Sequence, residues 1–271
     1  GRESASGAYR RAMRELEQFA RHAVPTVLLE GESGTGKTGF AAWLHAASRR
    51  ACGPLVHVNL AAVDPALAGS ELFGHVAGAF TGAQKPRGGL FLKASGGVLF
   101  LDELGKAPRS VQERLLTAVE YRRIRPLGGD VDVLVDAHVI AATNVSLDAL
   151  VERGELLPDL LPRFATFSVR IPPLRERKED IPLLVERAVA AHAHRFCYAV
   201  APVVDAGLLE RLVTYDWPYN LRQLDGVVQR MLMLAEGDAV LTLEHCAGGL
   251  SFLLQATTAA KSHLTTEAVR E

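Results

Sequence analysis

Only three cysteines occur in the 271 residues, and Cys52, Cys197 and Cys246 lie far apart, with no C-x-x-C spacing and no His-x-x-x-His partner. That scarcity excludes a disulfide framework and a zinc site of the usual ligand spacing. The thiols are expected to be reduced, cytosolic and structural. No run of about 18 apolar residues is present, and the N-terminus lacks the basic-then-apolar order of a signal peptide, so no membrane helix and a cytoplasmic location are expected. An excess of positive charge is also missing: 30 Lys and Arg face 31 Asp and Glu, a formal net charge of -1. Without a basic face this segment is not expected to bind nucleic acid by itself.

What is present is a hydrophobic content of 48% with 23% charged residues, the balance of a soluble globular enzyme. A chain of this length buries roughly 75% of its unfolded surface, enough for one large domain or a large one with a smaller companion. Gly1 in place of an initiator Met, and an amphipathic stretch reaching Glu271, lead us to expect a piece of a longer protein.

Apolar positions Ala8, Met13, Leu16 and Phe19 recur near helical spacing and predict an opening helix. Short buried-strand candidates follow at Val24 to Leu29, Leu55 to Val58, Val98 to Leu101, Val139 to Ala142 and Phe167 to Ile171, separated by helical or loop-like segments such as Lys37 to Ser48. Strands alternating with helices imply an α/β fold, a parallel sheet covered on both faces. Pro172 and Pro173 break the pattern. Helical periodicity then governs Ile181 to Phe196, Val204 to Thr214 and Leu221 to Leu234. The expected division is residues 1–173 for the α/β part, 174–250 for a small all-helical lid, and 251–271 for a linker and the start of a further region.

Gly31-Glu32-Ser33-Gly34-Thr35-Gly36-Lys37-Thr38 fits G-x-x-x-x-G-K-[ST] and stands between a strand and a helix, as that phosphate-binding motif requires. Glycines let successive N–H groups face the phosphates, the helix N-terminus adds partial positive charge, and Lys37 reaches the β- and γ-oxygens of ATP. Thr38 is placed to ligate Mg²⁺. The apolar run Val98-Leu99-Phe100-Leu101 delivers Asp102 and Glu103 to a strand end, Asp102 for Mg²⁺ and Glu103 to polarise the attacking water. Taken alone, the two acids are equally a solvated strand end. Asn144, after the strand ending at Ala142, either orients water or the γ-phosphate, or caps the helix beginning at Leu147.

Gly78-Ala79-Phe80-Thr81-Gly82-Ala83, within Glu71 to Ala83, resembles the GAFTGA loop of sigma-54-dependent transcriptional activators, the bacterial enhancer-binding proteins. The resemblance runs from about Ser6 to Leu250, through Gly128-Gly129, Ala141-Ala142-Thr143-Asn144, Pro172 to Arg177 and Trp217 to Arg222. It implies the AAA+ central domain of such an activator: a ring-forming ATPase, hexameric by analogy, that uses ATP and Mg²⁺ to remodel the closed complex of sigma-54 RNA polymerase holoenzyme. Phe80 and Thr81 then touch the sigma factor, with Gly78 and Gly82 permitting unusual backbone angles. On composition alone, Phe80 reads as a buried loop anchor.

The resemblance further implies that Arg123 to Asp136 forms a supporting hairpin, although its arginines also read as merely solvated. It implies that Asn59 is a switch on Glu103, where the residue type suggests a turn former. It assigns Arg222 to the bound nucleotide, with Asn220 as a helix cap. DNA is implied only through a domain not in this sequence.

Three departures stand out. The family pattern carries two arginines six residues apart that project into the neighbouring subunit; here the first position is Leu157, and only Arg163 remains. His138 replaces an arginine, and Pro158 and Pro162 take helix-forming positions, predicting a short or kinked helix. Two alternatives therefore stand beside the activator reading: an AAA+ remodeller with another client, and a nucleotide-binding assembly module with little hydrolysis.

Overall fold

The computed structural model describes residues 6–246. The linker and final helix expected beyond residue 250 lie outside the described residues. The chain divides into two compact units, one spanning Arg11–Ile171 and the other containing residues 6–10 and 172–246.

The first unit is built on five parallel strands, β1 (Thr26–Glu30), β2 (Leu55–Asn59), β3 (Val98–Asp102), β4 (His138–Thr143) and β5 (Ser168–Arg170), in the order β2-β3-β4-β1-β5. The central strands read as unbroken apolar runs because both their faces are buried, whereas edge strand β2 exposes His57 and Asn59. Two helices start where a side chain satisfies an orphan N–H group: Asp64 accepts from Ala66 N–H before Pro65–Phe73, and Ser146 from Ala149 N–H before Leu147–Glu152. Leu28, Phe73, Phe91, Leu101, Leu115 and Phe164 fill the core, each burial worth about 2 kcal/mol. The opening helix is Gly7–His22; it buries Ala12, Leu16 and Ala20 and half-buries Ala8, Met13 and Phe19, all on the one face that the spacing suggested.

His138, at the start of β4, is pushed down to about 4 from the ordinary 6.5, first by burial and then by the positive charges of Arg50 and Arg122, with Asp136 opposing. The folded pKa lies below the unfolded one, so between them the unfolded chain binds more protons. Stability is therefore complete above about pH 6.5 and falls as acid carries the protein toward about pH 4. Thermal unfolding across this window should show that decline, and His138→Gln should flatten it; an equal slope in both proteins would refute the assignment.

The second unit is mainly helical, with Ile181–His192, Ala206–Thr214 and Asn220–Leu234 packed around the fully buried Trp217, whose indole N–H donates to the Leu212 carbonyl at 2.8 Å. It is not the all-helical unit expected, since Val203–Val204 and Val240–Leu241 pair as two short parallel strands. Asn220 is not the cap the sequence suggested. Tyr219 holds that position, while Asn220, buried at φ 52°, turns its Oδ1 inward to accept the Leu174 N–H at 2.7 Å. The structural reading of the cysteines needs correction too. Cys246 is buried, and burial pushes its thiol pKa up, but Cys52 and Cys197 are exposed and support no core.

Candidate nucleotide site and partner loop

Because the five strands are parallel, their C-terminal ends share one edge of the sheet, where ligands of open α/β sheets bind. β4 lies between β1 and β3. Thr143 and Asn144 therefore stand between the Gly-rich loop after β1 and the acids ending β3, and the Gly31 N–H donates to the Thr143 carbonyl at 3.1 Å.

Gly36 precedes the helix Lys37–Ala47 at φ 98°, a left-handed conformation that glycine adopts without Cβ strain, and it brings no side chain to cap the helix. Lys37 is only 7% exposed, and its Nζ donates to the carbonyls of Gly31 at 2.6 Å and Glu32 at 3.1 Å. Its partners are oxygen acceptors of the kind a phosphate offers. Thr35 folds its hydroxyl onto the Glu32 carbonyl at 2.8 Å, whereas Thr38 is exposed in the first helical turn. Glu32, Ser33 and Gly34 form the half-buried arc of the loop.

Asp102 accepts the Glu103 N–H on Oδ1 at 3.0 Å, and His57 Nε2 lies 3.8 Å from its Oδ2. Glu103 has φ 57°, a left-handed conformation that costs a non-glycine residue about 1–3 kcal/mol and clusters at functional sites. Asn59 pairs in register with Asp102 across β2 and β3, but its Oδ1 accepts the Ala61 N–H at 2.9 Å. The structure thus shows Asn59 as a turn former beside the acids. Asn144 is exposed and is not the cap of the next helix, since Ser146 holds that place. The exposed Thr38 hydroxyl and the Asp102 carboxylate are hard oxygen donors of the type Mg²⁺ prefers, so the residues present suit a magnesium nucleotide.

Leu157 is buried, and its N–H donates to Gln112 Oε1 at 2.8 Å. Gln112, itself 2% exposed, also donates through Nε2 to the carbonyls of Ala107 and Glu155, both at 2.8 Å. Nothing in the apolar spacing singled Gln112 out, yet it ties the segment after Glu103 to the one leading to Arg163. Pro158 and Pro162 shorten that path to a 3₁₀ turn Pro158–Leu160 and a helix Leu161–Ala165. Arg163 is exposed on it and pairs with Glu120 at 2.8 Å. Arg222 lies in the helical unit, exposed on Asn220–Leu234.

Gly78 to Ala83 forms a closed loop in which the Gly78 N–H donates to the Ala83 carbonyl at 2.7 Å and the Ala83 N–H to the Phe80 carbonyl at 2.9 Å. Gly78 and Gly82 take φ 79° and 103°, and no neighbour crowds either position, so glycine serves backbone angle there and not space. Phe80 is 39% exposed, its ring edge-on to His75 at 5.0 Å, with Ala79 half-buried and Thr81 exposed beside it. The second loop is an antiparallel hairpin, Arg123–Ile124 against Val133–Leu134, in which Arg125 pairs with Asp132 at 2.7 Å. The Val76 N–H donates to the Leu127 carbonyl at 3.0 Å, and a Cβ on Gly128 would come within 2.8 Å of Ala79 Cβ, so the hairpin lies directly against the first loop.

A parallel sheet with a P-loop after one strand and paired acids after another, followed by a region matching the AAA+ ATPase lid domain over residues 175–262, defines an AAA+ P-loop NTPase. The Sigma-54 interaction domain family matches residues 3–170, and the chain belongs to it. It is 44% identical over 218 residues to the Psp operon transcriptional activator of Escherichia coli K12, covering 79% of this chain and 67% of that protein. It is 43% identical over 215 residues to the transcriptional regulatory protein ZraR of the same organism, covering 79% of this chain and 48% of ZraR. The chain thus spans about two thirds and about half of these relatives. The crystal structure of NtrX from Brucella abortus superposes with a TM-score of 0.81 at 31% identity, covering 89% of this chain and 55% of that one; NtrX has also been solved with ATP, with the same TM-score at 30% identity and coverage of 90% and 54%.

Proposed function

We propose that this chain is the ATP-hydrolysing motor of a sigma-54-dependent activator, working as a ring and engaging sigma-54 through Gly78 to Ala83. The observation that carries this reading is one sheet edge holding the Gly31–Thr38 loop, Asn144 and the Asp102–Glu103 pair, in a chain of the Sigma-54 interaction domain family. Phosphoryl transfer to water needs positioning and charge neutralisation more than covalent help. Lys37 and the loop N–H groups bind the phosphates, Thr38 and Asp102 hold Mg²⁺, Glu103 polarises the water, and Asn144 orients it. Bound Mg²⁺ supplies neutralisation of the phosphate charge. Arg163 enters the neighbour's site, and Arg222 answers the nucleotide within its own subunit. Coupling to RNA polymerase follows from movement of Phe80 and Thr81, supported by the hairpin lying against them. Asn59 is the switch that holds Glu103 away from water until the partner is engaged.

The second reading, an assembly module that binds nucleotide without turning it over, is favoured by Leu157 being buried and Arg163 being paired with Glu120. Phosphate release measured across protein concentration separates the two. The motor reading requires specific activity to rise as rings assemble; no release at any concentration would leave the module reading standing.

A further inference from the structure

We propose that His57 is a positioning residue that holds the Asp102 carboxylate in the orientation a nucleotide-bound divalent cation needs; the inference rests on reading Asp102 as the cation's carboxylate. β2 and β3 run parallel in register, His57 opposite Phe100 and Asn59 opposite Asp102. Alternate residues of a strand share a face, so all four side chains stand on one side of the sheet. The imidazole stacks on Phe100 with centroids 4.7 Å apart and planes 26° from parallel, and Phe100 is 1% exposed and held by the core. That stack sets the plane of the ring and aims Nε2 at Asp102 Oδ2, 3.8 Å away, while Oδ1 is held by the Glu103 N–H. Each carboxylate oxygen thus faces a nitrogen. Asn59 stands opposite Asp102 in register, and its Oδ1 accepts the Ala61 N–H. An aliphatic or phenyl side chain at position 57 would still cover Phe100 but would offer Asp102 nothing. Partners behind a metal ligand fix its orientation and raise its affinity.

The test uses the full chain and a fluorescent ATP analogue titrated with Mg²⁺. His57→Phe keeps the stack and His57→Leu keeps apolar cover; each should need about tenfold more Mg²⁺ for half-maximal nucleotide binding, the lower end of such effects. His57→Gln, which restores an N–H, should fall between these and the parent chain. Binding in EDTA and the thermal midpoint of His57→Phe should not move, which a purely structural role would not allow. Parent-like Mg²⁺ dependence in His57→Phe and His57→Leu overturns the inference. Asp102→Asn runs alongside: if it shifts the Mg²⁺ dependence and the His57 variants do not, only the His57 inference falls; if it also leaves the dependence unchanged, the site reading itself has failed.

Discussion

Arg163→Ala should abolish phosphate release, by about 10³-fold or more, while nucleotide affinity stays at the parent value. An arginine supplied from a neighbouring subunit acts on charge that develops in the transition state, so its loss spares ground-state binding. The structure makes truncation a clean test. The guanidinium is exposed, and the backbone is tied independently, since the Thr26 hydroxyl donates to the Arg163 carbonyl at 3.0 Å. Within the chain Arg163 pairs with Glu120, so Glu120→Gln should raise turnover by releasing it. Leu157 offers no substitute, being buried and held by Gln112. Mixing the inactive Arg163→Ala and Glu103→Gln proteins should restore release, because sites with an intact Glu103 then meet neighbours with an intact Arg163. Normal turnover by Arg163→Ala, or no recovery on mixing, would reject the trans assignment.

Phe80→Ala should lose capture of sigma-54 in a transition-state-like nucleotide complex while hydrolysis continues. Large aromatics that anchor an interface cost about 2 kcal/mol or more when truncated, which is roughly a 30-fold loss of affinity. Phe80 suits that role: it is exposed on a loop whose ends are closed by their own hydrogen bonds, so removing the ring leaves the loop scaffold intact. The thermal midpoint should barely change, because the ring touches His75 at the surface and fills no core. Undiminished capture would show that the loop is not the contact.

The phosphate loop and the paired acids were legible in the sequence because their chemistry is local: glycines at set spacing, a lysine, an apolar run ending in carboxylates. The same locality misled at Asn220, which has the residue type of a cap but turns inward to Leu174, a contact 46 positions away. It also left two readings for Asn144, and Ser146, two residues on, removed one of them by taking the cap. Gln112 and His57 drew no notice for a related reason. Gln112 sits among the buried side chains of its helix, and its partners are Ala107, Glu155 and Leu157. His57 gains a role only when β3 lies beside β2.

By itself, the amino-acid order determined a P-loop α/β fold of the AAA+ type and the hexapeptide that marks the family, since each rests on runs of neighbours whose spacing already contains the geometry. The strand order β2-β3-β4-β1-β5 was decided only by tertiary structure, and with it the place of Asn144 between loop and acids and of His57 against Asp102. Strand pairing is a choice among distant segments with similar apolar patterns, and it is settled by which faces can be buried together, which no single segment encodes.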